Sequence, residues 1–189
     1  MEESQLTEKL TALFWKLLVS EREDKAKIAE EIESFCTNLG EVPKSMEDIV
    51  DFCMRMHEYG KTSEKDRKIL KEAKAVYDNL RILDEKNIAV QLSEMLHEFL
   101  KAKDEKRTDT AREIHDFCSG VMDRPYYIHF DGDFKYILDQ CLLLKNWVEN
   151  GVYYQRERVM SARTVSDMIE KLEEISGRKI KRHAYPASK

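Results

Sequence analysis

The chain has 189 residues, of which 42% are hydrophobic and 37% are charged, with only 6 glycines and 3 prolines. A disordered chain lacks this much apolar side chain and a β-rich chain needs more turn residues, so the composition excludes both classes. The net charge is −5, but residues 178–189 hold five Lys or Arg and no acid, which leaves −10 on the other residues. An acidic body with a basic tail argues against a surface that binds nucleic acid throughout.

Apolar residues recur every three to four positions through the first half of the chain and predict helices. Gly40 with Pro43, and later Gly60, interrupt this pattern. A Ser followed three residues later by an acid occurs before three of the apolar stripes, which is typical of the start of a helix. The predicted helices are a first over residues 6–18, a second opening at Ser20, a third opening at Ser45 and a fourth opening at Ser63.

The second half of the chain repeats the first. The matching segments are 5–10 with 91–96, 29–36 with 111–118, 49–53 with 137–141, and 73–83 with 162–172. A shared helical period explains the matched leucines but not the matched cysteines, Cys36 with Cys118 and Cys53 with Cys141. We therefore predict an all-α protein formed by tandem duplication of a four-helix unit, with about eight helices packed as one compact bundle-like body. The predicted parts are a first unit over 1–86, a second over 87–177 and a basic C-terminal tail over 178–189.

The junction of the two predicted units, residues 81–90, contains neither Gly nor Pro. The fourth helix is therefore expected to run into the fifth with little break. No apolar run is long enough to span a membrane, and the first residues are acidic where a signal peptide is basic. These features predict a cytoplasmic protein without membrane contact.

The four cysteines, Cys36, Cys53, Cys118 and Cys141, lie on the apolar stripes of their helices. The simplest interpretation is reduced thiols buried in the core, with no cofactor. The alternative is a metalloprotein in which the four thiolates meet at one zinc or iron–sulfur site. Such sites usually take ligands from close pairs, whereas the nearest spacings here are 17 and 23 residues.

The segment between the sixth and seventh predicted helices, residues 119–133, is longer than its counterpart at 37–44. A segment this rich in rings either folds back over the core or presents a binding surface. The turn at residues 131–133, Asp-Gly-Asp, is expected to cap the helix that begins at Phe134. The candidate partner-binding residues here are Tyr126, Tyr127, His129 and Phe130.

The seventh predicted helix, residues 134–150, carries three consecutive leucines at 142–144 and Trp147. Three consecutive side chains cannot share one face of a helix. The helix is therefore either buried on two faces or in contact with a partner, and a homodimer interface is one such contact.

The last helix is expected to end near Gly177, followed by the basic tail. Arg178, Lys179, Lys181 and Arg182 form a candidate contact for an anionic partner such as nucleic acid. The spacing of Arg178, His183 and Tyr185 resembles the active-site motif of HEPN-type ribonucleases, in which an Arg and a His act on a phosphodiester. The resemblance covers eight residues and implies that Arg178 would stabilise phosphate charge while His183 moves protons. In that family the motif lies within the helical body, whereas here it follows the last predicted helix.

The sequence contains no Gly-rich phosphate loop and no GxSxG or HExxH motif. Together with the aromatic segment and the basic tail, this predicts a non-enzymatic interaction or regulatory protein with a protein partner. The alternatives are the HEPN-like ribonuclease and the four-cysteine metalloprotein.

Overall fold

The computed structural model describes residues 1–149 and 157–177, with side chains from residue 162 onward in the second range. Within these ranges every regular element is a helix, as the apolar periodicity predicts. None of the described helices is both long enough and apolar enough to cross a membrane. The α-helices are α1 Glu3–Val19, α2 Arg22–Thr37, α3 Glu47–Cys53, α4 Ser63–Lys101, α5 Asp104–Met122, α6 Gly132–Glu149 and α7 Glu157–Ser176. Short 3-10 helices cover Lys44–Met46, Met56–Glu58 and Tyr127–His129.

The described residues form seven α-helices, one fewer than the eight predicted, because α4 joins the predicted fourth and fifth helices. With no Gly or Pro between residues 81 and 90, nothing interrupts the backbone hydrogen bonds of this 39-residue helix. It ends at Lys101, and Asp104 at the start of α5 has a φ of +47°, a conformation that breaks the helix. The predicted stop at the end of the last helix is confirmed, since Gly177 follows α7 with a φ of +68°.

The junction between α1 and α2 differs from the predicted capping box. The Ser20 hydroxyl donates to a carbonyl of the last turn of α1 at 2.6 Å instead of opening α2. Glu21 occupies the N-cap position of α2 and makes no side-chain cap. Lys25 reaches back from α2, and its Nζ donates to the carbonyls of Leu17 and Leu18 at 2.6 and 3.0 Å. A cation thus satisfies the free carbonyls at the negative end of α1.

The described chain separates into two compact units. The first comprises Met1–Asp84 together with Asp123–Phe130, and the second comprises Glu85–Met122 with the residues from Asp131 onward. In the first unit α1 packs against α2 and α2 against α3, and in the second α5 packs against α6 and α6 against α7. Each unit has its own core of fully buried side chains, each worth roughly 1.5–3 kcal/mol of burial free energy. These include Leu10, Phe14, Leu17, Ile32 and Leu80 in the first unit and Leu92, Leu96, Phe99, Ile114 and Leu138 in the second.

Candidate partner-binding site

Asp123–Phe130, hereafter the anchored segment, packs within the first unit although it follows α5 in the chain. It passes through a short 3-10 helix in which the amides of Tyr127, His129 and Phe130 each donate to the carbonyl three residues earlier, at 2.9–3.0 Å. Pro125 fixes its own φ and restricts the residue before it, which stiffens the entry to this turn. The anchored segment therefore holds a defined backbone shape outside the long helices.

A buried ion pair ties the anchored segment to two helices of the first unit. Arg124 donates through Nη1 to Asp84 Oδ2 on α4 and through Nη2 to Glu8 Oε2 on α1, the second at 2.7 Å. The side chains of Arg124 and Asp84 are only 14% and 2% exposed, so water screens their attraction weakly. Burial opposes the charge of Arg124, but attraction to Asp84 and the hydrogen bond between them outweigh it, and the pKa of Arg124 is raised. Removing Arg124 would leave the buried Asp84 carboxylate without a cation.

Tyr126 holds the anchored segment through both its ring and its hydroxyl. The side chain is fully buried, and its ring meets that of Phe130 edge to face with centroids 5.7 Å apart. Its hydroxyl donates to Asp84 Oδ2 at 3.0 Å, the same oxygen that accepts from Arg124. Burial and then the negative charge of Asp84 raise the pKa of Tyr126 above the ordinary tyrosine value. The buried Asp84 carboxylate on α4 thus accepts hydrogen bonds from two residues of the anchored segment, Arg124 and Tyr126.

Tyr127, Ile128 and His129, hereafter the tip, are three consecutive residues of the anchored segment that are exposed or half-buried. Ile128 is 67% exposed, while His129 is exposed and Tyr127 half-buried. The His129 ring lies 4.6 Å from that of Trp15 on α1, centroid to centroid. Trp15 lies in turn 5.8 Å from the ring of Tyr77 on α4. The imidazole therefore rests on rings from two helices beside an exposed aliphatic side chain, a combination suited to contact with another protein.

The partner-binding residues predicted from the sequence fall into three groups. Tyr126 and Phe130 are 0% and 3% exposed, so their side chains support the turn from within the core of the first unit. Tyr127 and His129 lie in the tip, where a partner can reach them. Arg178, Lys179, Lys181 and Arg182, and His183 of the ribonuclease hypothesis, lie outside the described residues.

Three residues that define the site were missed from the sequence. Ile128 is a single aliphatic residue within an aromatic run and carries no periodic signal. Trp15 lies on an amphipathic helix, where its spacing does not separate a core ring from a surface one. Asp84 has Leu80 four positions before it and Ile88 four positions after it, so it lies on an apolar face of the helix, and an acid at such a position is a usable signal for a buried charge that needs a partner.

The four cysteines are buried and reduced, in two pairs. Cys36 hydrogen-bonds with Cys53 in the first unit, and Cys118 with Cys141 in the second. Among the described residues, no three or more His, Cys, Asp or Glu side chains come together as metal ligands would. The four-thiolate hypothesis therefore gains no support from this part of the chain.

The sequence of helix α6 predicts apolar residues on more than one face, and some of these residues are exposed at the surface. Leu144 is fully buried, but Tyr136 and Leu143 are 57% and 40% exposed. These two residues are seven positions apart, or about two turns, so they share one face of the helix. At the start of α6, Asp131 Oδ1 accepts the amides of Asp133 and Phe134 at 2.9 and 3.4 Å, the cap predicted from the sequence.

No family model, no curated protein and no solved structure matches the chain. A likeness to another protein therefore supplies neither an activity nor a partner.

Proposed function

We propose that the chain is a non-enzymatic interaction or regulatory protein that binds a protein partner through the tip and Trp15. The observation that carries this proposal is the 67% exposure of Ile128 on a turn fixed by buried groups. Single exposed aliphatic residues are common on protein surfaces. This one differs because Arg124 and Tyr126, both tied to Asp84, hold its backbone from inside the first unit.

Pre-organisation explains how such a small surface can contribute to affinity. Burying Ile128 against a partner would gain roughly 1.5–3 kcal/mol. Because the turn is already ordered, binding spends little free energy on fixing its backbone. The ring of His129, supported by Trp15 at 4.6 Å, adds aromatic area beside the aliphatic side chain.

A second contact is proposed for the basic tail, residues 178–189, with an anionic surface such as nucleic acid. It rests on five cations without an acid. The ribonuclease alternative rests on the spacing of Arg178 and His183. A homodimer, also predicted from the sequence, would use the face of α6 that exposes Tyr136 and Leu143.

We also infer that the two halves descend from one four-helix unit. Positions that match in the sequence are buried alike, as with Leu10 and Leu96, which are both 0% exposed. The matched cysteines are paired within their own unit in both halves. Near the start of the second helix of each half lies a matched cation, Lys25 or Arg107, directed at the end of the preceding helix. The paired cysteines and the matched cations support the duplication without relying on the helical period, which explains the matched leucines by itself.

The tip is tested by affinity capture with the full chain and with Ile128→Asp, followed by quantitative mass spectrometry and a dissociation constant for each purified partner. The matched control is Ile82→Asp. Ile82 is also in the first unit and 44% exposed, and it lies two positions from Asp84 on α4, so it faces away from the anchor. Loss of a central contact costs about 2 kcal/mol, so Ile128→Asp should weaken binding by roughly tenfold or more. The control should bind as the parent does.

A partner retained equally by the parent and by Ile128→Asp would remove the tip from the proposal. A version of the chain ending at Ser176 separates the two contacts, because partners lost with it depend on the tail. RNA cleavage by the parent that disappears in His183→Ala would favour the ribonuclease over the interaction protein.

A further inference from the structure

The two cysteine pairs lie between helices that pack directly on each other. Cys36 is in the last turn of α2 and Cys53 is the last residue of α3. Their chain neighbours also meet, since the Thr37 hydroxyl lies 3.5 Å from the Met54 sulfur. In the second unit Cys118 and Cys141 lie on α5 and α6, the helices joined further along by the ion pair of Arg112 with Glu149 at 2.9 Å.

The thiols of the first pair are electronically unequal. A hydrogen bond with Cys53 lowers the pKa of Cys36 despite its burial. The same hydrogen bond, then burial, raises the pKa of Cys53. Cys36 therefore forms a thiolate more readily, and thiolates rather than thiols are the nucleophiles in oxidation. Cys53 lies beside Cys36 and stays protonated. Its sulfur is therefore placed to attack an oxidised Cys36 sulfur.

The two pairs also differ in access. Cys36 is 4% exposed, whereas its partner Cys53 is fully buried, as are Cys118 and Cys141. The first pair is closed by α3, a helix of only seven residues. The second is closed by α6, a helix of 18 residues. A short helix makes fewer contacts and opens at lower free energy, so an oxidant reaches the first pair more often.

We propose that Cys36 and Cys53 are a modification site at which a hydroperoxide forms a disulfide within the first unit, in preference to Cys118 and Cys141. The Cys36 thiolate attacks the terminal peroxide oxygen, the O–O bond breaks, and a sulfenic acid forms on Cys36. The Cys53 sulfur then attacks that sulfur, the S–O bond breaks, and a sulfur–sulfur bond forms with release of water. The two thiols lose two electrons and two protons, and hydrogen peroxide takes them up as it becomes two molecules of water.

The test treats the reduced, full-length protein with hydrogen peroxide, blocks the remaining thiols with an alkylating agent and maps the peptides without reduction. The expected product is about 2 Da lighter than the parent before blocking and joins the peptides of Cys36 and Cys53. This bond should form roughly tenfold faster than any bond between Cys118 and Cys141. Sulfoxide at Met54, which is 38% exposed, reports that oxidant has reached the protein.

Two variants sharpen the test. In Cys53→Ala the sulfenic acid on Cys36 has no neighbour to attack it, so it should accumulate and react with dimedone. The matched control Cys141→Ala should form the Cys36–Cys53 bond at the parent rate. Met54 sulfoxide with both thiols still reduced would overturn the proposal. So would sulfinic acid on Cys36 of the parent without a bond to Cys53, or equal rates for the two pairs.

Discussion

The two units differ in the length of their third helix and in the parts of the chain that supply their buried side chains. In the first unit α3 covers only Glu47–Cys53, whereas its predicted counterpart α6 covers Gly132–Glu149. The first unit also includes Asp123–Phe130, a segment that follows α5 in the chain and adds the buried rings of Tyr126 and Phe130. In the second unit the described residues, 85–122, 131–149 and 157–177, are helices and their turns. A unit whose third helix is short can thus draw core side chains from a distant part of the sequence, and we propose that the same segment also binds a partner.

The largest expected effect is the loss of stability when the Tyr126 ring, which the anchored segment contributes to the core of the first unit, is removed. Tyr126→Ala should lower the free energy of unfolding by about 3–5 kcal/mol, because it leaves a cavity and removes a hydrogen bond to a buried carboxylate. The comparison variant Tyr136→Ala, at a position 57% exposed on α6, should change it by less than about 0.5 kcal/mol. Urea denaturation followed by circular dichroism measures both. Equal losses in the two variants would show that the segment is not part of the core of the first unit.

The next effect compares a buried ion pair with an exposed one. Arg124→Ala should cost about 3 kcal/mol, because it leaves the 2% exposed Asp84 carboxylate without its cation. Arg112→Ala removes the pair with Glu149 in the second unit, where the side chains are 52% and 33% exposed, and should cost less than about 1 kcal/mol. The same denaturation experiment measures both. A cost for Arg124→Ala no larger than that for Arg112→Ala would contradict the role assigned to the buried pair.

The smallest expected effect on stability comes from a substitution that removes only the Tyr126 hydroxyl. Tyr126→Phe should cost about 1 kcal/mol at pH 7 through loss of the hydrogen bond to Asp84. The pKa of Tyr126 is raised in the folded protein, so its contribution is complete below the ordinary tyrosine value of about 10 and is lost as the pH rises above it, where only the unfolded chain ionises. The difference between the parent and Tyr126→Phe should therefore close within roughly one pH unit above pH 10. A difference that stays constant from pH 7 to pH 11 would contradict the buried environment of the hydroxyl.

The all-helical fold could be predicted because apolar side chains at a helical spacing have to be buried together. The continuity of α4 was predictable from the absence of Gly and Pro between residues 81 and 90. The capping box at Ser20 was wrong because the Ser20 hydroxyl donates to the last turn of α1, and the reach of Lys25 back to Leu17 depends on how α1 and α2 pack. Local sequence does not contain that packing.

The candidate site was predictable only in part. The density of rings at 126–130 marked the segment, but which rings turn inward depends on Asp84, about 40 positions earlier in the chain. The pairing of Arg124 with Glu8 spans 116 positions. Contacts over such separations follow from the tertiary arrangement of α1 and α4, so spacing within the segment did not distinguish Ile128 at the surface from Phe130 in the core.

The central claim is that buried contacts fix the tip before any partner binds, and amide hydrogen exchange tests it most directly. In the free parent protein the amides of Tyr127, His129 and Phe130, which donate within the turn, should exchange more slowly than their intrinsic rates. In Arg124→Ala the same amides should lose that protection, while the amides in the middle of α5 keep theirs. Exchange of the three amides at their intrinsic rates in the parent would contradict the account.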